Sequence, residues 1–219
     1  DLADAEHQMH KLVDQWQQTG PVAKRDQLAL EKRFDKARDT FQAHAAALHE
    51  EATQEQLALL RKKAGYCTQA EQLLEHPDPT LAQPMLEDLD KQWNETPSLK
   101  DTATEQTIQQ RYQKLRNALL AGDEQREHLL NELQSNLEHR KQLCLRMEIL
   151  CGAESPAEEQ QARMEFQANR LAEAIGHGVD DPVGKMTDLE REWYLSAGAL
   201  PFQEKSLQER FEKARKTAG

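Results

Sequence analysis

Three groups of basic residues recur around an aromatic side chain and could bind an anion. Each group has an Arg one position before the aromatic, a Lys two positions after it and an Arg four positions after it. The planar guanidinium of Arg forms paired hydrogen bonds with phosphate or carboxylate, and at helical spacing the first two positions share one flank of the aromatic. The candidate partner-binding residues are therefore Arg33, Lys36, Arg38, Arg111, Lys114, Arg116, Arg210, Lys213 and Arg215.

Two interpretations of these groups stay open. No acidic residue lies three or four positions from the first Arg of any group, so pairing along its own helix does not explain it. In the structural interpretation its stem covers the core edge and its head pairs with an acid on a tryptophan helix, for which Asp14, Asp90 and Glu190 are candidates. In the functional interpretation the groups form a repeated stripe that recognises RNA or an acidic protein.

The other reactive side chains form no catalytic or metal-binding pattern. Di-iron helical bundles use Glu-x-x-His pairs, and His7, three positions after Asp4, is the only histidine with an acid at that spacing. There is no glycine-rich phosphate loop after a strand and no nucleophile elbow around the five serines. We therefore predict no enzymatic activity, no metal and no cofactor.

The three cysteines favour a reducing compartment. Cys67, Cys144 and Cys151 are odd in number and show no C-x-x-C spacing, which argues against a disulfide framework. Cys67 and Cys144 lie 77 positions apart, at equivalent places in a repeat, and are interpreted as small buried side chains. The expected location is the cytoplasm.

Three tryptophans, Trp16, Trp93 and Trp193, show that the chain is repetitive. Each has apolar residues four and seven positions before it, and each is followed after 18 or 19 positions by an aromatic residue in its own apolar frame. The aromatic residues are Phe34, Tyr112 and Phe211. Steps of three and four place such residues on one helical stripe, and self-similarity at offsets of 77 and then 100 indicates a repeat protein.

Composition and helix breakers predict the elements that carry these residues. Val and Ile together account for seven of 219 residues, so strands are excluded and the fold class is all-α. Residues 23–75 contain no proline and one glycine, which predicts one long helix. A second long stretch is predicted over 102–150, with an interruption at Gly122, and short tryptophan helices begin near Thr80 and Asp181.

The alternation of long and short helices predicts tandem three-helix bundles that share long connecting helices, as in elongated spectrin-like rods. Residues 1–49 are the C-terminal part of a first repeat, 50–122 a second repeat and 123–219 a third. The third repeat contains an inserted helix near 156–176, because Ser155, Pro156 and Glu158 read as an N-cap, a first-turn proline and a capping-box acid. Gly176 and Gly178 mark its end.

The first copy combines Leu12-x-x-x-Trp16 with a Gly20-Pro21 loop and a later Arg33-Phe34 pair. This combination resembles a bacterial helical repeat family catalogued as domain of unknown function 349, and Arg111-Tyr112 and Arg210-Phe211 match the same pair. The resemblance implies a bacterial protein of tandem helical repeats and assigns no activity. Because the chain starts and stops inside repeats, it looks like a part of something longer.

Charge and hydropathy argue against two classes of protein, DNA-binding domains and membrane-spanning proteins. The net charge of −11 argues against a dedicated DNA-binding domain, and no apolar run reaches the length of a membrane span. We expect a non-enzymatic cytoplasmic scaffold for protein–protein interactions. The alternative is an RNA- or ribosome-associated factor that binds through the basic groups. The partner's identity and the oligomeric state stay open.

Overall fold

The structure is a computed structural model that describes residues 1–20, 22–76, 79–176 and 181–217. All regular secondary structure in these ranges is helical, which confirms the all-α fold class. The α-helices are α1 (Leu2–Gln18), α2 (Lys24–Leu74), α3 (Pro79–Glu95), α4 (Thr102–Ala121), α5 (Asp123–Ser135), α6 (Leu137–Cys151), α7 (Gln160–Gly176), α8 (Pro182–Leu195) and α9 (Pro201–Thr217). No helix in the described ranges is long and apolar enough to cross a membrane.

The chain divides into two compact units, Asp1–Glu55 and Gln56–Gly219, and α2 contributes residues to both. The repeat limits predicted from the sequence, 1–49, 50–122 and 123–219, divide the chain by internal similarity instead. They stay a prediction.

The first unit is formed by α1 and the N-terminal half of α2. Asp1 caps α1 by accepting a hydrogen bond from the amide of Ala3 at 3.3 Å. The indole of Trp16 stacks on the ring of Phe34, and near the other end of α1 His49 Nε2 lies 2.8 Å from Glu6 Oε1. The two helices are therefore held together at both ends of α1.

The second unit has a continuous apolar core. In it α6 packs against α8 and α9, while α4 packs against α3, α5 and α8. Fully buried side chains come from several of these helices, among them Leu60, Ile108, Leu133, Leu143 and Phe211. The apolar stripes of these helices face one another and together form the core.

The long helices follow the sequence prediction in one case and depart from it in the other. The predicted helix 23–75 is confirmed by α2. The predicted stretch 102–150 is interrupted at Gly122, as expected, whose φ of +106° suits glycine. A second interruption lies at Asn136, where no glycine or proline marks it and the side-chain Nδ2 donates to the carbonyl of Gly198 at 3.3 Å.

The inserted helix is present, but its predicted start is wrong. A 3₁₀ turn occupies Ala157–Glu159, and α7 begins at Gln160. Ser155 does not act as an N-cap, since its Oγ accepts from Arg163 Nη1 at 2.6 Å and so serves a tertiary contact. The predicted stop at Gly178 lies outside the described residues, as does Pro21 of the first loop.

Candidate functional site

The same stacked aromatic pair occurs in all three copies of the tryptophan frame. Ring centroids are 4.3, 4.3 and 4.2 Å apart, and the planes are within 10° of parallel. The pairs are Trp16–Phe34, Trp93–Tyr112 and Trp193–Phe211. Each copy thus joins its tryptophan helix to the following aromatic helix in one geometry.

In the second copy a cation from the C-terminal half of α2 covers the indole. Lys63 Nζ lies 4.9 Å from the ring centroid of Trp93 and forms a buried ion pair with Glu105. The other oxygen of Glu105 accepts a hydrogen bond from the amide of Leu99 at 2.9 Å. The loop after α3, the indole and the covering helix therefore meet at one polar cluster within the core.

The third copy repeats this cluster with arginine in place of lysine. Arg140 of α6 places its guanidinium carbon 3.3 Å from the centroid of Trp193 and is ion-paired with Glu204. Arg140 also donates to the Trp193 carbonyl at 2.7 Å, and Glu204 accepts from the amide of Ala199 at 2.8 Å. Burial lowers the pKa of Arg140, and the attraction of Glu204 offsets this only in part. Lys63 and Arg140 are 77 positions apart, which is the one sign of their common role in the sequence.

In the second and third copies, the Arg before the aromatic pairs with the covering helix rather than with the tryptophan helix. Arg111 donates to Glu71 Oε1 from Nη2 at 2.8 Å and from Nε at 3.2 Å. Its Nη1 donates to the carbonyl of Tyr194 at 2.9 Å, and the amide of Gly198 contacts the same Glu71 oxygen at 3.4 Å. Burial would lower the pKa of Arg111, but the attraction of Glu71 outweighs it and the pKa is raised.

The third copy places Arg210 in the same way. Its Nε and Nη2 donate to the two oxygens of Glu148 at 2.5 and 2.8 Å, and it also binds both oxygens of Glu159. Burial would lower the pKa of Arg210, yet the hydrogen bonds to these two acids raise it. Glu71 and Glu148 are 77 positions apart, so the pairing is equivalent in the two copies.

The expected acids on the tryptophan helices pair with a different Arg, which corrects the sequence prediction. Asp90 accepts from Arg116 Nε at 2.9 Å, and Glu190 lies 3.6 Å from Arg215. Both arginines stand four positions after the aromatic and five positions after the Arg for which the pairing was predicted. Asp14 forms no ion pair with any described residue.

The lysines are more exposed than the arginines. Lys114 is ion-paired with Glu132 across a partly exposed surface, a contact of the kind that contributes about 0–1 kcal/mol. Lys36 and Lys213 are exposed, and their side chains have no hydrogen bond or ion pair with any described residue. The candidate positions therefore divide into buried or half-buried pairs, pairs at the surface, and cations without a described partner.

The first copy keeps the aromatic pair, but no helix covers it in the part of the chain that the structure describes. Trp16 is 36% exposed, against 8% for Trp93 and 3% for Trp193. Leu30 of α2 is 38% exposed, whereas its counterparts in the other copies are buried. Arg33 is exposed and has no partner in the described part of the chain, while Arg38 pairs with Asp35 and Asp39 on its own helix.

A groove of about 460 Å³ lies where the covering helix is absent. Its lining includes Trp16, Thr19, Gly20, Val22, Leu30 and Glu31. Shifted by 77 positions, Trp16 becomes Trp93, which Lys63 covers, and Val22 becomes Leu99, whose amide donates to the Glu105 that pairs with Lys63. We call the groove together with Arg33 the open face.

The remaining titratable groups do not build a reactive centre. Burial raises the pKa of the Cys67 thiol to about 12, and burial raises that of Cys144 to about 12 as well. Cys144 Sγ donates to the carbonyl of Leu207 at 3.4 Å, so it is a packed side chain. Among the described residues no group of His, Cys, Asp and Glu is arranged to hold a metal ion.

Residues 29–118 match the family model described as Domain of Unknown Function (DUF349). The match confirms the resemblance carried by the tryptophan and Arg-aromatic motifs. The matched segment contains the entire cluster of the second copy, from Lys63 and Glu71 to Trp93 and Arg111. No curated protein and no solved structure matches the chain.

Proposed function

With residues 29–118 as a DUF349 domain, we propose that the chain is a non-enzymatic helical-repeat scaffold that binds a protein partner through its open face. A scaffold of this kind presents a groove for a partner's side chains and needs no catalytic group. The match of residues 29–118 to the family model assigns no activity.

The proposal rests on one difference between the copies: the stacked aromatic pair is enclosed in two of them and exposed in the first. The stacked pair and its Arg are enclosed by a helix in the second and third copies. In the first copy the same pair and Arg33 face solvent. An exposed apolar groove bordered by an unpaired cation is typical of a protein interaction site, because burying it in a partner removes apolar surface from water and pairs the charge.

The proposal includes the tandem repeat arrangement. Each unit would consist of a covering helix, a tryptophan helix and an aromatic helix, with the aromatic helix running on into the next covering helix, as in spectrin-like repeats. The equivalent ion pairs Arg111–Glu71 and Arg210–Glu148 support it. So does the continuity of α2 from Phe34 to Glu71.

The test uses affinity capture with a matched pair of variants. Leu30→Asp places a charge inside the groove, and Leu28→Asp places the same charge at an exposed position on the same helix outside it. We expect the first to lose a nuclease-resistant protein partner that wild type and Leu28→Asp retain. Circular dichroism must show equal helix content in all three proteins.

Equal capture by both variants would show that the open face is not the binding site. Release of the partner by nuclease would show that it was bound through nucleic acid.

The RNA-binding alternative retains one supporting observation, the free cations Arg33, Lys36 and Lys213. It is weakened because the remaining candidate cations are engaged with carboxylates. Those cations are Arg38, Arg111, Lys114, Arg116, Arg210 and Arg215. RNA binding would weaken steeply with salt, in proportion to the number of phosphates contacted.

A further inference from the structure

We propose that the occupant of the open face is an amphipathic helix that carries a Lys or Arg, a small residue four positions later and a Glu four positions after that. This inference deepens the proposed function and rests on it. It names the partner by the chemistry that the two enclosed copies display.

The two covering helices provide the pattern. In α2 it is Lys63, Cys67 and Glu71, and in α6 it is Arg140, Cys144 and Glu148. Steps of four keep the three side chains on one helical face. The cation lies against the indole, the Cys is fully buried, and the Glu pairs with the Arg before the aromatic.

The open face has a counterpart for the cation and the acid of this pattern. Trp16 offers an uncovered indole for the cation, and Arg33 offers the guanidinium for the Glu. The enclosed copies also hold a carboxylate seven positions before the aromatic, where the first copy has Gln27. There Gln27 Nε2 donates to Glu31 Oε1 at 2.9 Å, so a carboxylate is retained one turn along, within the groove.

The helices of this pattern within residues 1–219 are already used. Lys63 and Glu71 are buried in their own copy, and so are Arg140 and Glu148. A second copy of the chain would have to unfold its core to donate either helix. The occupant is therefore a helix of this pattern on a partner protein.

The experiment adds a peptide of residues 56–76 to the full chain under reducing conditions. The peptide carries Lys63, Cys67 and Glu71 but no tryptophan, so the three indole resonances in a nitrogen-15 spectrum report only on the chain. The Trp16 resonance is identified with Trp16→Phe. We expect this resonance alone to shift, with a Kd between about 10 μM and 1 mM, because a short peptide must also order its helix.

A charge exchange tests the predicted pairing. Arg33→Glu in the chain is expected to lower the affinity for the wild-type peptide about tenfold, as loss of a close charge pair at an interface does. The Glu71→Arg peptide should bind the Arg33→Glu chain within about threefold of the original affinity. Lys32→Glu makes the same charge change about 100° around the helix and should alter the affinity less than twofold.

Three results would overturn the inference. An unmoved Trp16 resonance at about 1 mM peptide rejects this helix as occupant. If the peptide does not bind but the Leu30→Asp variant still loses a captured protein, this inference fails and the proposed function stands. Self-association that is abolished by Leu30→Asp, without peptide binding, would assign the face to a second copy. Failure of the Glu71→Arg peptide to restore binding would reject the ion pair.

Discussion

The same substitution at the equivalent arginines Arg33 and Arg111 should have very different effects on the free energy of unfolding. Arg111→Met removes three hydrogen bonds, two to Glu71 and one to the carbonyl of Tyr194. Glu71 then remains buried, with only the amide of Gly198 at 3.4 Å near one of its oxygens. Arg33→Met removes no such contact, because Arg33 is exposed and has no described partner.

The expected cost follows from the burial of the ion pair. Side chains of Arg111 and Glu71 are 9% and 2% exposed, so removal of one partner leaves a charge out of water. Breaking a buried pair in this way costs about 3–5 kcal/mol. For a unit of this size that lowers the thermal midpoint by roughly 6–20 °C. Arg33→Met should change the free energy of unfolding by less than about 0.5 kcal/mol.

Urea unfolding followed by near-ultraviolet circular dichroism reports on both units, because Trp16 lies in the first and Trp93 and Trp193 lie in the second. The double variant Arg111→Met with Glu71→Met completes the cycle. Since it buries no unpaired charge, it should lie within about 1–2 kcal/mol of wild type, the remainder reflecting the unpaired Tyr194 carbonyl and Gly198 amide.

A loss below about 1 kcal/mol for Arg111→Met would refute a structural role for this Arg. An equal loss for Arg33→Met would show that the first copy is enclosed in solution. Either result would remove the contrast on which the open face depends.

Three further predictions concern the second unit. In urea titrations Gly198→Ala should destabilise it by about 1–3 kcal/mol, because the new Cβ would lie 2.7 Å from Glu71 Oε2. Gly65→Ala should instead stabilise α2 by about 0.5–1 kcal/mol, because its Cβ would meet no atom within 4 Å. Ellman's reagent at pH 8 should leave Cys67 and Cys144 unmodified until the unit unfolds, while the partly exposed Cys151 reacts first; fast labelling of all three would contradict their burial. Because burial raises the pKa of the Cys67 thiol from 9.0 to about 12, its stabilising contribution is present below pH 9 and is lost between pH 9 and 12, which unfolding curves measured against pH can follow.

Sequence periodicity predicted the parts of the fold that depend on neighbours along the helix. The limits of α2, the break at Gly122 and the start of α8 after Asp181 follow from proline, glycine and capping residues. The stacked pairs follow from the apolar stripes around Trp93 and Tyr112. These features are local, so spacing contains the information needed to find them.

The ion pairs could not be predicted because they join positions far apart in the chain. Glu71 lies 40 residues before Arg111, and no periodicity links the two positions. Asp90 is a candidate from the sequence because it lies on the tryptophan helix. In the sequence no local pattern distinguishes Lys63 from the other lysines of the helices, and its pairing with Glu105 emerges only in the structure. The break at Asn136 likewise follows from a tertiary contact with Gly198.

The bonds from Arg111 to the Tyr194 carbonyl and from the Gly198 amide to Glu71 limit how freely such units can be exchanged. An ion pair of one copy is completed by backbone groups of the next. Deleting a copy, or joining two copies with a different loop, would leave a charged pair with an incomplete hydrogen-bond shell. Changes in repeat number during evolution would therefore favour neighbouring copies that are gained or lost together with the loop between them.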